Sequence, residues 1–119
     1  MKNLRSLLNH DLNKKLTKQC KEIGITRSNV LGYIISNPEI VKSICEDIYA
    51  DHEALVEILQ LELNKIQVSI PVNTDNDLSK MISGYRISVS GFLYYIITRN
   101  VIRKMEDEFP EELIMKKLK

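Results

Sequence analysis

The sequence predicts a mostly α-helical fold in which one unit, a short strand followed by a helix, a tight turn and a second helix, occurs twice. The first observation is an internal repeat: residues 25–35, ITRSNVLGYII, recur 62 residues later as ISVSGFLYYII, with six of eleven positions identical. The second is the helical spacing of apolar residues before each copy. Because a repeat of about 40 residues is too small to fold alone, the two copies are expected to pack together.

The first copy begins with a short predicted strand at residues 3–8. The next helix, residues 10–23, carries its apolar side chains on one face: Leu12, Leu16, Cys20 and Ile23. Gly24 follows the last of them and is a natural left-handed helix stop. Thr26 is suited to cap the second helix, which runs to about Ser36 and should be the most buried element of the copy.

An acidic helical connector, residues 37–64, follows the first copy. Pro38 suits the first turn of a helix. The helix is expected to break or bend near Ala50, where Asp51 can cap a second segment. The connector carries seven acidic residues against one lysine, a net charge of −6.

The second copy begins at residues 65–70, KIQVSI, whose strict alternation of apolar and polar residues predicts a strand. Pro71 ends this strand. The next helix has a stripe of Leu78, Met81, Ile82 and Tyr85, and Ser88 caps the repeated helix. A closing helix through about Phe109 and a short charged helical tail complete the chain.

Charge divides the chain into the same segments as the repeat. Residues 1–36 carry seven Lys or Arg against two Asp or Glu, net +5, and residues 65–104 carry six against two, net +4. The connector is acidic, and the tail, residues 105–119, has a net charge of −2. Each copy of the repeat therefore coincides with a basic block, which indicates a polyanionic partner.

The order of the elements resembles that of the ribbon–helix–helix DNA-binding proteins, the superfamily of the Arc, MetJ and CopG repressors. This order is a strand, a helix, a turn with the sequence Gly-Ile-Thr-Arg-Ser, and a capped apolar helix. The resemblance covers about two thirds of the chain, in residues 3–35 and 66–97. It implies a tandem protein, or pseudo-dimer: two ribbon–helix–helix repeats, residues 1–36 and 65–104, joined by the helical connector. Its fold would be mostly α with one short two-stranded antiparallel β-ribbon.

The resemblance also implies how such a protein would contact DNA. The ribbon would lie in the major groove, and its outward side chains would contact base edges: Asn3, Arg5, Leu7, Lys65, Gln67 and Ser69. The starts of the second helices would each contact a backbone phosphate, through Thr26, Arg27 and Ser28 and through Ser88, Val89 and Ser90. The chain is therefore expected to bind double-stranded DNA sequence-specifically, as a transcriptional regulator or repressor.

No sequence motif indicates catalysis, a cofactor or a metal. There is no glycine-rich phosphate loop, and His10, His52, Cys20 and Cys45 lack the clustered spacing of a metal site. Both cysteines are predicted to be small buried residues of a reduced protein. The apolar runs are far shorter than the roughly 20 residues of a membrane span. We expect an intracellular, cytoplasmic protein without enzymatic activity, associated with the nucleoid when bound to DNA.

Two alternatives remain open at the level of sequence. The repeats can pair within one chain, which predicts an asymmetric DNA site, or between two chains. In a second class of function the chain is a protein-interaction module, an antitoxin or an inhibitor of a host protein, whose partner surface is the acidic and apolar connector and tail. The same connector helix or tail is a candidate surface for self-association.

Overall fold

Seven α-helices form the part of the chain that the computed structural model describes, residues 4–68 and 75–113, with side chains for residues 7–68 and 78–113. The helices are α1 (Leu4–Ile23), α2 (Arg27–Ser36), α3 (Pro38–Ala50), α4 (His52–Leu63), α5 (Asp75–Ile82), α6 (Val89–Thr98) and α7 (Val101–Lys104). Three 3₁₀ turns lie at Ser83–Tyr85, Glu106–Glu108 and Glu111–Leu113.

The strand predicted at residues 3–8 is wrong in its described part, because residues 4–8 are the first part of α1. Leu4 and Leu8 are four residues apart, and residues at i and i+4 share a side in a strand and in a helix alike. Residues 12, 16 and 20, all apolar, continue the same step of four. Since no turn residue interrupts the series, one continuous helix satisfies its hydrogen bonds along the whole stretch.

The strand predicted at residues 65–70 is also wrong in its described part. Lys65 has a left-handed backbone, with φ of 54°, and the Ile66 N–H donates to the Leu61 carbonyl at 2.8 Å, which closes the end of α4. The Val68 N–H donates to the Ser90 hydroxyl at 3.0 Å. Backbone groups that a ribbon would pair are thus bonded elsewhere. No β-strand occurs in residues 4–68 and 75–113, so the two-stranded antiparallel ribbon is corrected to an all-helical arrangement.

The helix pair at the centre of the repeat is present twice. The bounds of α2 and α6 differ by 62 residues at both ends, and the turns before them contain left-handed residues at matching positions, Gly24 (φ 79°) and Arg86 (φ 57°). The matched core positions are all buried: Leu16 with Leu78, Cys20 with Ile82, Ile25 with Ile87, Val30 with Phe92, and Ile34 with Ile96. The two copies therefore share local geometry as well as sequence.

The connector has the predicted break. Pro38 begins α3, and the side chain of Asp51 caps α4 by accepting a bond from the Ala54 N–H at 3.1 Å. The closing helix is shorter than predicted, because Asn100 has a left-handed backbone, with φ of 54°, between α6 and α7. After Lys104 the described chain continues in 3₁₀ turns, and residues 114–119 of the predicted tail lie outside it.

The two copies occupy different places in the fold. Helix α6 is central and packs against α1, α3, α4, α5 and α7, whereas α2 packs mainly against α1 and α3. Six of the ten residues of α6 are buried, compared with three of the ten in α2. One copy of the repeated helix therefore forms the core, and the other retains an outer face.

Candidate nucleic-acid interface

The described residues of copy one that were predicted to contact bases, Arg5 and Leu7, do not form a strand face. Leu7 is an exposed residue of α1. Arg5 lies in the first turns of the same helix, and Asn3 is outside the described residues. Contact of Arg5 and Leu7 with DNA through a β-ribbon is therefore ruled out by the helix that contains them.

The corresponding residues of copy two lie in the segment after α4. Lys65 and Gln67 are exposed there, and Ser69 is outside the described residues. The Asn9 side-chain amide donates to the Gln67 carbonyl at 3.2 Å. The residue that follows the first predicted strand is thus bonded to the second segment, and the described residues of the two segments form no strand pairing.

Both predicted helix caps are confirmed. The Thr26 hydroxyl accepts a hydrogen bond from the Asn29 N–H at 3.2 Å, and the Ser88 hydroxyl accepts one from the Gly91 N–H at 3.0 Å. Each cap leaves the earlier N–H groups of its helix pointing outward, the arrangement that binds anions at helix starts. The phosphate contacts of Thr26, Arg27 and Ser28 remain a prediction.

The two helix starts differ in how open they are. Ser28 is exposed at the start of α2, whereas Val89 and Ser90 are half-buried at the start of α6. The Ser90 hydroxyl also accepts the bond from the Val68 N–H at 3.0 Å, so the segment after α4 lies over this helix start. Only the first of these two helix starts is therefore open to a phosphate.

The outer face of α2 is polar and continuous. Four of its residues are exposed: Ser28, Asn29, Gly32 and Ser36. They are spaced at i, i+1, i+4 and i+8, on the side opposite the buried Val30, Leu31 and Ile34. Sequence reasoning did not select Asn29 or Gly32, because it treated α2 as buried on most of its surface. The spacing of polar residues was the available signal.

Lysines of α1 lie beside the start of α2. Lys14, Lys18 and Lys21 are exposed and follow one another at i, i+4 and i+7. Lys21 lines a shallow groove together with Thr26 and Arg27, so the lysine row leads to the capped start of α2. We call the exposed residues of α2 and this lysine row the α1–α2 face.

Arg27 holds the two helices of this face in register. Its guanidinium donates to the side-chain oxygen of Asn13 on α1, and the residue is half-buried. Gly24 in the turn has φ of 79°, a conformation that favours glycine, and the Ile25 N–H donates to the Cys20 carbonyl at 3.1 Å. The turn between α1 and α2 is therefore three residues long and is closed by a backbone hydrogen bond.

The equivalent face of α6 is covered by the connector. A β-carbon placed on Gly91 would lie 2.7 Å from Cγ2 of Ile58, a residue of α4. A β-carbon placed on Gly32 of α2 would meet no atom within 4 Å. The glycine of α6 thus serves helix packing, whereas the glycine of α2 faces open space.

A polar cluster beside this contact ties α4 to the end of α6. Arg99 donates to Asp51 and Glu57, each at 3.2 Å, and Tyr94 donates to Glu57 at 2.8 Å. The bond from Arg99 lowers the pKa of the Glu57 carboxyl, and burial with the bond to Glu57 raises the pKa of Tyr94 to about 12. Every charge in the cluster has a partner, so its role is to join helices.

The described residues offer few other reactive groups. Cys20 and Cys45 are free, buried thiols, as predicted, and burial raises the pKa of each to about 11. Within residues 4–68 and 75–113 no cluster of three or more His, Cys, Asp or Glu is arranged to hold a metal ion. No helix in this part of the chain combines the length and apolar character needed to cross a membrane.

Comparison with protein-family models, with characterised proteins and with solved structures finds no match for this chain. Function must therefore be argued from the α1–α2 face itself.

Proposed function

We propose that the chain binds double-stranded DNA sequence-dependently through the α1–α2 face and acts as a transcriptional regulator. The observation that carries the proposal is the contrast between the duplicated helices. The outer face of α2 is polar, exposed and bordered by lysines, while the same face of α6 is packed under α4. An exposed polar helix face beside a row of cations is suited to the groove of a polyanionic duplex.

The local architecture supports this use of α2. A long helix, a three-residue turn with a left-handed glycine and a second short helix follow one another in the order found in helix-turn-helix units, whose second helix enters the major groove. A helix about 10–12 Å across fits a major groove about 12 Å wide. This mode replaces the ribbon and retains Thr26, Arg27 and Ser28 at the phosphate backbone.

Individual side chains of α2 suit contact with bases. The amide of Asn29 can donate to and accept from adenine N7 and N6 together, and the hydroxyl of Ser28 can bond to several bases. Gly32 has no side chain, so the helix backbone can approach the groove closely at that point. Lys14, Lys18 and Lys21 of α1 would then lie along phosphates and supply affinity that does not depend on sequence.

Selection of bound duplexes from a random pool, followed by titration of the selected duplex at several salt concentrations, tests the proposal. Asn29→Ala should relax the preference at one base pair, a loss of about 1–3 kcal/mol of discrimination. The fold should be unaffected because Asn29 is exposed and contributes only its backbone N–H to the helix cap.

Two lysines at matching positions of the repeat provide an internal control. Lys18→Ala on α1 should weaken binding to all sequences and reduce the salt slope of the binding constant by about one. Lys80→Ala on α5 removes an equally exposed lysine 62 residues away, and should leave both quantities unchanged. Equal losses from both variants, or no duplex binding at about 50 mM salt, would contradict the proposal.

A further inference from the structure

Helix α4 is apolar on two opposite sides. Its inner side buries Ala54, Ile58 and Leu61 against the core. Its outer side exposes three further apolar residues: Val56 by 41%, Leu59 by 56% and Leu63 by 80%. These three residues, spaced at i, i+3 and i+7, form a line along the helix that we call the α4 stripe.

The packing of the described chain does not account for the α4 stripe. The inner residues already complete the contact of α4 with α3 and α6. A surface leucine alone is ordinary, but a continuous apolar line on an outer helix face is typical of an interaction surface. Exposure increases along the stripe from Val56 to Leu63, which keeps four fifths of its surface in solvent.

Acidic residues border the α4 stripe on both sides. Around the helix axis Glu53 lies beyond Val56 on one side of the stripe, and Glu62 lies beyond Leu59 on the other. Both glutamates are exposed, and residues 37–64 have a net charge of −6. A helix that covers the stripe would therefore meet carboxylates along both of its edges.

This charge pattern distinguishes between the occupants that could cover the stripe. A second copy of α4 would bring the glutamates of both copies together, which is unfavourable. The lysine row of α1 has the complementary charge, yet the exposed large apolar side chain on that face of the described part of α1 is Leu7, which lies two turns before Lys14 at one end of the row. Among the described residues, neither of these two surfaces of a second copy combines a continuous apolar line with basic flanks.

We infer that the α4 stripe is a docking surface for an amphipathic helix of another protein, with an apolar line and lysines or arginines on both flanks. Such a helix would lie against α4, bury its apolar residues on Leu59 and Leu63, and place its cations beside Glu53 and Glu62. Helix α4 has 12 residues, so about three turns of a partner helix can be covered. The surface is separate from the α1–α2 face, and the inference does not depend on DNA binding.

A synthetic peptide of about 14 residues, with leucines on one face and lysines on the flanks, is a suitable probe. Its binding to the full chain can be followed by fluorescence anisotropy, and its position by chemical-shift changes of α4 amides. We expect saturable binding of one peptide per chain. The double variant Leu59→Ser, Leu63→Ser should weaken binding at least about tenfold, because two apolar contacts are lost.

Matched controls test whether the peptide binds the α4 stripe itself, and not any exposed apolar residue or any negative charge of the chain. Leu7→Ser removes an exposed leucine of α1, and should leave peptide affinity unchanged. Glu53→Gln with Glu62→Gln should weaken binding several-fold at low salt and flatten its salt dependence. Glu39→Gln with Glu106→Gln changes the net charge equally at exposed positions away from the stripe, and should have little effect.

The measurements can overturn the inference in two ways. If the wild-type chain forms a dimer that the Leu59→Ser, Leu63→Ser variant does not form, a second copy covers the stripe and the inference is wrong. If the peptide does not bind, or binds all variants equally, the stripe is not a docking surface for a basic helix. Duplex binding should be the same in wild type and stripe variants, so the failure of either proposal can be recognised separately.

Discussion

Replacement of Gly32 by alanine should stabilise the protein. Glycine in the interior of a helix costs about 0.8–1 kcal/mol relative to alanine. Gly32 lies in the middle of α2, and the new β-carbon would meet no atom within 4 Å, so no packing penalty offsets this gain. We expect the free energy of unfolding to rise by about 1 kcal/mol and the melting temperature by roughly 3–6 °C for a domain of this size.

Gly91→Ala is the matched control, because this glycine lies in the helix that repeats α2. Its β-carbon would lie 2.7 Å from Cγ2 of Ile58 and 3.2 Å from the Ser88 hydroxyl. Overpacking of this kind costs about 1–3 kcal/mol, against a propensity gain of at most about 1 kcal/mol. The net effect should be a destabilisation of up to about 2 kcal/mol.

Urea unfolding followed by circular dichroism measures both changes under the same conditions. The midpoint should move up for Gly32→Ala and down for Gly91→Ala, with the slope of free energy against urea unchanged. If Gly32→Ala destabilises the protein, or if both variants are stabilised alike, α2 is not the open helix and α6 is not the covered one. The same Gly32→Ala protein should bind duplex DNA more weakly, since the added methyl lies on the α1–α2 face.

Two further substitutions and one labelling experiment have defined outcomes. Arg99→Gln should cost about 1–2 kcal/mol after allowance for solvent screening. The variant should also lose less stability than the wild type between about pH 5 and pH 3. The pKa of Glu57 is lowered in the folded state, so the stability that its carboxylate contributes is present above the unfolded pKa of about 4.3 and is lost as the pH falls. An unchanged pH dependence in urea titrations would contradict this. Cys20 and Cys45 should react with a thiol reagent at pH 8 only on unfolding, because burial raises the pKa of each thiol to about 11 and the thiolate is the reactive form. Fast labelling of the native protein would refute this. Arg86→Gly should raise the melting temperature, since φ is 57° at this position and glycine adopts that conformation without the cost of about 1 kcal/mol borne by arginine; a lower melting temperature would contradict it.

Sequence reasoning was most successful where a local rule determines the outcome. Gly24, Thr26, Pro38, Asp51 and Ser88 were expected at helix ends, and all five occupy such positions. Each of these effects depends on the backbone of a few neighbouring residues, so no tertiary information was needed. The repeat itself could be found for the same reason, since its two copies were compared directly in the sequence.

The strands failed because alternation alone does not specify a β-structure. A strand needs a partner, and the backbone groups of Ile66 and Val68 bond instead to the end of α4 and to Ser90. The choice was made by contacts over long sequence distances, which periodicity does not contain. The polar spacing of α2 was a signal for the exposure of Asn29, but the contrast with α6 could not be predicted, because the two helices have almost the same apolar pattern and differ in which helices surround them.

Gln19 shows the same limit within the core. It lies beside Cys20 on an apolar stripe, where a polar residue has no obvious use in the sequence. In the fold it is buried, and its amide donates to the Ile97 carbonyl at 2.9 Å and to Asn100 at 2.9 Å. The residue joins α1 to the end of α6, a role set entirely by the packing of the two copies.

The burial of α6 under α4 has a consequence for how the protein can change over generations. Substitutions on α6 must preserve shape, since even one methyl group at Gly91 would collide with Ile58. Substitutions at Ser28, Asn29, Gly32 and Ser36 meet solvent and leave the core unchanged. The two copies of the repeat are therefore under unequal structural constraint. The core restricts substitution on α6, whereas the outer face of α2 can vary by single exposed substitutions without disturbing the packing of the fold.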